Sequence, residues 1–189
     1  MQLTLRSEAL PHRMISERFV VIDVESTGVS PRKDYHMLEV GAVAIRDGQI
    51  IEEFTTFIGR GKDIPQDKGM PQGNTSPEAK LHKLHSFIAD SVLVAHNARS
   101  EVDFLFKEFA DISLPMYNDY ICTLELSRRR FPFLRNHHLD TVAHYVLGDR
   151  PDRTKLRRAI DDARLASRVW LALETSNPLQ DRMMCIGSM

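Results

Sequence analysis

The apolar run Phe19-Val20-Val21-Ile22 stops at Asp23-Val24-Glu25 and is followed at once by Ser26-Thr27-Gly28. A short continuous apolar run bounded by turn residues reads as a buried strand, so the rest of the chain has to supply layers that cover it. Alternation along a strand puts Asp23 and Glu25 on one face. Two acids side by side at a sheet end repel each other, and a cation, a shared proton or solvent must relieve them. A divalent metal is the reading to test.

The pattern downstream supplies the covering layers. Residues 37–45 and 49–58 read as two further strands, and Asp47-Gly48 between them is a strong hairpin signal. The stretch 59–74, rich in Gly, Pro, Lys and Asp, reads as an exposed loop. Ser76-Pro77 then opens a helix, with Ser as N-cap and Pro at the first helical position, and Leu81, Leu84, Phe87 and Ile88 follow at helical spacing. A short strand over 91–95 precedes a second amphipathic helix marked by Val102, Leu105, Phe106 and Phe109. Another strand is expected over 117–121, and helices over 123–130, 139–147 and 159–174. Three strands, then alternating helix and strand, then helices, imply an α/β fold: a mixed sheet flanked by helices.

With 189 residues, one such domain fills the chain. We divide it into a leader, 1–17, a domain, 18–174, and a C-terminal tail, 175–189, expected to be mobile or to dock a partner. A formal charge of -1 excludes a globally basic nucleic-acid coat protein but not a local basic patch. The cysteines are Cys122 and Cys185, too few for a disulfide framework and without metal-ligand spacing, which fits a reducing, cytoplasmic setting. No apolar stretch approaches a bilayer span, and the first 17 residues lack the apolar region of a signal peptide, so no membrane partner is expected.

Three motifs in order carry a resemblance. Asp23-Val24-Glu25-Ser26-Thr27-Gly28, then His96-Asn97-Ala98-Arg99-Ser100-Glu101-Val102-Asp103-Phe104-Leu105, then Arg157-Arg158-Ala159-Ile160-Asp161-Asp162 follow the three motifs of the DnaQ-like, DEDD-type 3′–5′ exonucleases in their DEDDh branch. The chain resembles that family over residues 18–173. The resemblance implies a ribonuclease-H-like fold and hydrolysis of phosphodiester bonds at DNA or RNA 3′ ends with two divalent metals, Mg²⁺ or Mn²⁺. It implies that Asp23 bridges both ions, that Glu25 and Asp162 complete the first site, and that the motif-two acid serves the second. Ser26, Thr27 and Gly28 would meet the terminal nucleotide. Such chemistry needs acids there, because two ions ~4 Å apart stabilise charge on both the attacking and the leaving oxygen, and hard cations favour oxygen ligands.

Two positions depart from the family pattern. Glu101 stands where the motif-two Asp is expected and keeps the charge while adding a methylene; Asp103, two residues on, points to another side of the helix. Arg157 stands where the general-base His is expected, and a guanidinium stays protonated at physiological pH. A general base contributes ~10²–10⁴ in rate, and metal electrostatics act separately. Two readings follow: Arg157 stabilises phosphate charge or pairs with Glu101 in a slowed nuclease, or the chain is a catalytically lapsed nucleic-acid-binding or DNA-polymerase-associated module.

Ordinary roles stand beside these. Glu101 near a helix N-terminus is favourable through the helix dipole alone. Arg158 lies at i,i+4 spacing from Asp162 and can form a simple ion pair with it. His96 and Asn97 can contact nucleic acid or merely cap the helix that follows. His137 and His138 read as loop histidines. Arg153 and Lys155, with Arg157 and Arg158, gather ahead of Asp162, where phosphate contacts would be useful; charge runs are also commonly solvated faces. The tail beyond Glu174 is the segment that would recruit a polymerase or other protein partner.

Overall fold

The computed structural model of the protein describes residues 17–28, 35–59, 75–148, 158–176 and 186–187. Strand β1 (Phe19–Ser26) lies at the centre of a sheet, with β2 (Met37–Arg46) and β3 (Gln49–Phe57) on one side and β4 (Val92–Ala95), β5 (Tyr120–Cys122) and β6 (Ile186–Gly187) on the other. The order is β3-β2-β1-β4-β5-β6. β1 pairs antiparallel with β2 and parallel with β4. Asp47 and Gly48 join β2 to β3 with φ of 51° and 74°, the left-handed pair that a tight hairpin turn requires.

Helices α1 (Pro77–Ile88) and α2 (Ala98–Asp111) cover one face of the sheet. α3 (Thr123–Arg130), α4 (Leu139–Leu147) and α5 (Ala159–Ser176) cover the other. β1 explains why two layers are needed. Val20 and Ile22 enter the cluster under α1 and α2, whereas Phe19 and Val21 enter the cluster under α5, so both faces of the strand are dry. Asp23 and Glu25 continue the Phe19–Val21 face by alternation, which aims them toward α5.

Local signals behave as the residues dictate. Ser76 Oγ accepts the Ala79 N–H, and Pro77 follows it at the start of α1. Gly148, at φ 73°, ends α4. The fifth strand begins at Tyr120 rather than Tyr117, which is 88% exposed. The last helix, expected over 159–174, runs on to Ser176 as α5, and Ile186 and Gly187 pair antiparallel with β5. Part of the segment read as a tail therefore completes a sheet edge, a pairing of two residues too short to leave a periodic trace. The expected loop at 60–74 lies outside the described residues.

Trp170, the chain's one tryptophan, is 2% exposed against Phe19 on the α5 face, and Phe109 is fully buried on the other. Phe109→Ala is expected to cost about 3–5 kcal/mol through reduced burial and the cavity left behind. Urea unfolding followed by Trp170 emission reads this destabilisation across the sheet; a midpoint shift confined to far-UV signals would mean that the two faces do not unfold together.

Candidate metal centre

β1 and α5 deliver three acids to one point. Asp23 and Glu25 stand at the carboxyl end of β1, and Asp162 lies in the first turn of α5; all three are half-buried. One carboxylate oxygen from each lies within 4.8 Å of the others, and among the described residues this is the group able to hold a metal ion. The helix N-terminus eases Asp162, but its partial charge is too small to neutralise three carboxylates. A divalent cation with hard oxygen preference fits this donor set.

Glu101, in the first turn of α2, approaches the same point from the opposite layer. Burial pushes its carboxyl well above the usual range; the negative charges of Asp23 and Glu25 push it further, and a hydrogen bond with the Val24 backbone opposes them. Its Oε2 is shielded from solvent and has no hydrogen-bond partner among the described residues. A buried acid oxygen left bare beside two more acids is costly unless a proton or a cation joins it. Glu101 thus fits as a ligand or neighbour of a second ion, with the added methylene spanning from α2. Asp103 does not share this place: it pairs with Arg99 at 3.3 Å on the exposed side of α2.

The other motif residues divide by location. Glu25 and Ser26 flank a register irregularity in the β1–β2 pairing, and Thr27 exchanges hydrogen bonds with His36 through its N–H and its Oγ1, each 3.0 Å. Ser26 Oγ donates to the Gly28 carbonyl, and Tyr35 packs against Gly28. This is an ordered strand-ending turn beside the acids. Asn97 holds the N-cap position of α2 at φ 83° without a side-chain capping bond and is exposed. The His96 ring is engaged at both nitrogens, by the Thr123 hydroxyl at 3.0 Å and the His137 carbonyl at 2.7 Å. Burial lowers its pKa, the hydrogen bond to the His137 backbone opposes this, and the nearby His138, His137 and Arg128 lower it again; held at both nitrogens, the ring is a strut. His137 Nδ1 meets Ser127 Oγ at 3.0 Å.

Arg158 differs from the ion pair expected with Asp162. Its Nε donates to Glu39 Oε1 at 2.7 Å, and its guanidinium lies 4.6 Å from the centroid of the Phe57 ring. Arg153, Lys155 and Arg157 lie outside the described residues. Sequence reasoning passed over Glu39 and Gly41. An acid and a glycine inside the apolar run Met37 to Ile45 were the available signal, because glycine within a strand marks the close approach of another backbone.

Comparisons with known proteins show what the chain is similar to. The family model described as Exonuclease (RNase_T) matches residues 20–170. The DNA polymerase III PolC-type of Clostridium perfringens is 33% identical over 161 residues, covering 81% of this chain and 11% of that protein. The chain therefore spans about a tenth of the length of such PolC-type relatives. The DNA polymerase III subunit epsilon of Aquifex aeolicus is 26% identical, covering 92% of this chain and 88% of that one. Among solved structures, Exonuclease X in complex with 5′ overhanging duplex DNA superposes with a TM-score of 0.61 at 18% identity, covering 88% of this chain and 97% of that chain, a likeness of fold.

The titration of Glu101 yields a prediction. An acid with a raised folded pKa contributes stability that is complete below its unfolded pKa and lost as pH rises through its folded one. The metal-free protein should therefore lose stability as pH climbs above the ordinary carboxyl range, and Glu101→Gln should flatten that decline while reducing the gain from added Mn²⁺. Urea midpoints against pH, with chelator and with Mn²⁺, read both effects; parallel profiles for the two proteins would remove Glu101 from the centre.

Proposed function

Because the chain belongs to the DnaQ-like Exonuclease family, we propose that it is a metal-dependent 3′–5′ exonuclease that hydrolyses phosphodiester bonds at nucleic-acid 3′ ends. The observation that carries this reading is the convergence of Asp23, Glu25 and Asp162 within 4.8 Å, with Glu101 facing them from α2. Bound there, Mg²⁺ or Mn²⁺ would supply electrostatic stabilisation to the phosphate oxygens and acidify the attacking water. In this reading Asp23, Glu25 and Asp162 would hold the first ion, and Glu101 would serve the second. The turn at Ser26, Thr27 and Gly28, joined to His36, borders the acids and is the surface for a terminal nucleotide. His96 orients this end of β4 from within, and exposed Asn97 is left to meet the strand.

Arg157 gives the second reading its footing. It cannot take a proton from water, so it acts on phosphate charge and leaves the reaction without a side-chain base at that position. The same replacement supports a lapsed module that binds ends without turning over. The polymerase names of the relatives support DNA ends over RNA, association with a polymerase and a cytoplasmic site of action. Among the described residues, no helix is long and apolar enough to cross a membrane.

End-labelled single-stranded DNA and RNA, incubated with Mg²⁺ or Mn²⁺, test the two readings. The nuclease releases mononucleotides, and Asp23→Ala or Asp162→Ala reduces release by roughly 10²-fold or more. Arg157→His combined with Glu101→Asp raises turnover by up to ~10²-fold if the missing base limits the rate. End binding with no release from any of these proteins would favour the lapsed module. Neutralising Arg153 and Lys155 is expected to lower the salt slope of single-strand binding by about 0.7 for each phosphate that the protein no longer neutralises; unchanged slopes would place them on a solvated face.

A further inference from the structure

The residues of β2 that lie opposite the β1 acids do not face water. They face the start of α5. Gly41 is the register partner of Asp23, and Glu39 that of Glu25. A Cβ on Gly41 would fall 2.3–2.4 Å from the backbone of Ala159 and Ile160, closer than any side-chain carbon tolerates, and those atoms cannot swing aside as a flexible side chain could. Glu39 is fully buried and accepts a hydrogen bond from Arg158 Nε at 2.7 Å. Arg158 is the residue whose carbonyl accepts the N–H groups of Asp161 and Asp162, at 2.9 and 3.2 Å. Phe57, the partner of Glu39 on β3, supports the guanidinium from beneath. Nearly two turns beyond Arg158, Arg164 pairs with Glu53 of β3 at 2.6 Å.

We propose that Gly41 and the Glu39–Arg158 pair form a seat that sets where Asp162 meets Asp23 and Glu25, and that they are positioning residues for the metal centre. This rests on the metal-centre reading above and deepens it. The helix carrying the third ligand is held at contact distance from the strand beside the first ligand because no side chain separates them at Gly41. Its first turn is fixed lengthwise by the Glu39–Arg158 bond. A methyl at position 41 must lift or slide this turn, and a carboxylate moved by about 1 Å no longer shares an ion with its partners, since supporting groups around metal ligands typically govern 10–100-fold in affinity. Arg158 is thereby assigned to Glu39 and to the helix rather than to phosphate.

The test is Mn²⁺ uptake by the full chain without nucleic acid, followed by the fall of the free-ion electron paramagnetic resonance signal, with thermal unfolding in chelator recorded in parallel. Gly41→Ala and Arg158→Gln are expected to weaken Mn²⁺ binding about tenfold or more while the protein remains folded. Arg158→Lys, which keeps the charge, recovers part of the affinity. Leu84→Ala, in α1, which carries none of the site acids, lowers the unfolding temperature but leaves Mn²⁺ affinity unchanged, which separates positioning from general destabilisation. If Gly41→Ala does not fold, Arg158→Gln decides. Variants that take up Mn²⁺ like the wild type overturn the seat; a wild-type protein that takes up none overturns the metal centre and the seat with it.

Discussion

The packing of α5 directly onto β2 at Gly41 governs how the two halves of the molecule meet. A helix and a strand approach this closely only where one side lacks a Cβ, and here that absence falls opposite Asp23. Filling the gap would separate the two halves of the acidic site before any acid was altered. The ion pairs on either side of this close approach then fix orientation. Arg158 with Glu39 holds the helix start, and Arg164 with Glu53 holds it farther along. The first is the stronger anchor, because Glu39 is fully buried and Arg158 donates to it at 2.7 Å. The second is surface-exposed and contributes less.

This rigid seat permits a local conflict. Asp23, Glu25 and Asp162 are brought together against their repulsion, and Glu101 is pressed toward them with one oxygen shielded from solvent and its proton affinity raised. A free sheet end would splay to relieve such crowding. It is restrained here, because β1 is buried on both faces and paired on both edges over Phe19 to Val21, and its pairing with β2 continues past the acids. The fold supplies the energy that holds the acids in place, and a cation returns some of it on binding.

Much of the architecture is legible in the residue order because it is written in local chemistry. The apolar run at Phe19, the Asp47-Gly48 turn, the Ser76-Pro77 cap and the spacing of Leu81, Leu84 and Ile88 each point to one local conformation, and their order implies a mixed sheet between helical layers. Expectation and structure part where local signals are weak. β5 is three residues long, so its start is hard to place, and β6 is two residues whose pairing comes from β5 alone. The acids of the site are legible for a different reason: three motifs in order match a family pattern. The role of Arg158 is not, since its i,i+4 distance from Asp162 suggests a bond within the helix, whereas its partner lies 119 residues earlier in the chain.

Residue order alone sets the kind of element at each motif: two acids on one strand face and a third in the first turn of a helix. Alternation and helical periodicity are local properties, which is why these follow without a structure, whereas the places given to Glu101 and Arg157 come from the motif resemblance. Folding in three dimensions adds that Gly41 and Glu39 on β2 seat the helix, that His96 is a strut bonded at both nitrogens, and that Arg158 answers Glu39. Such contacts join residues far apart in the chain, and close approach depends on which faces the sheet register brings together. The carboxylates name the chemistry, and the missing side chain at Gly41 lets them share one point in space.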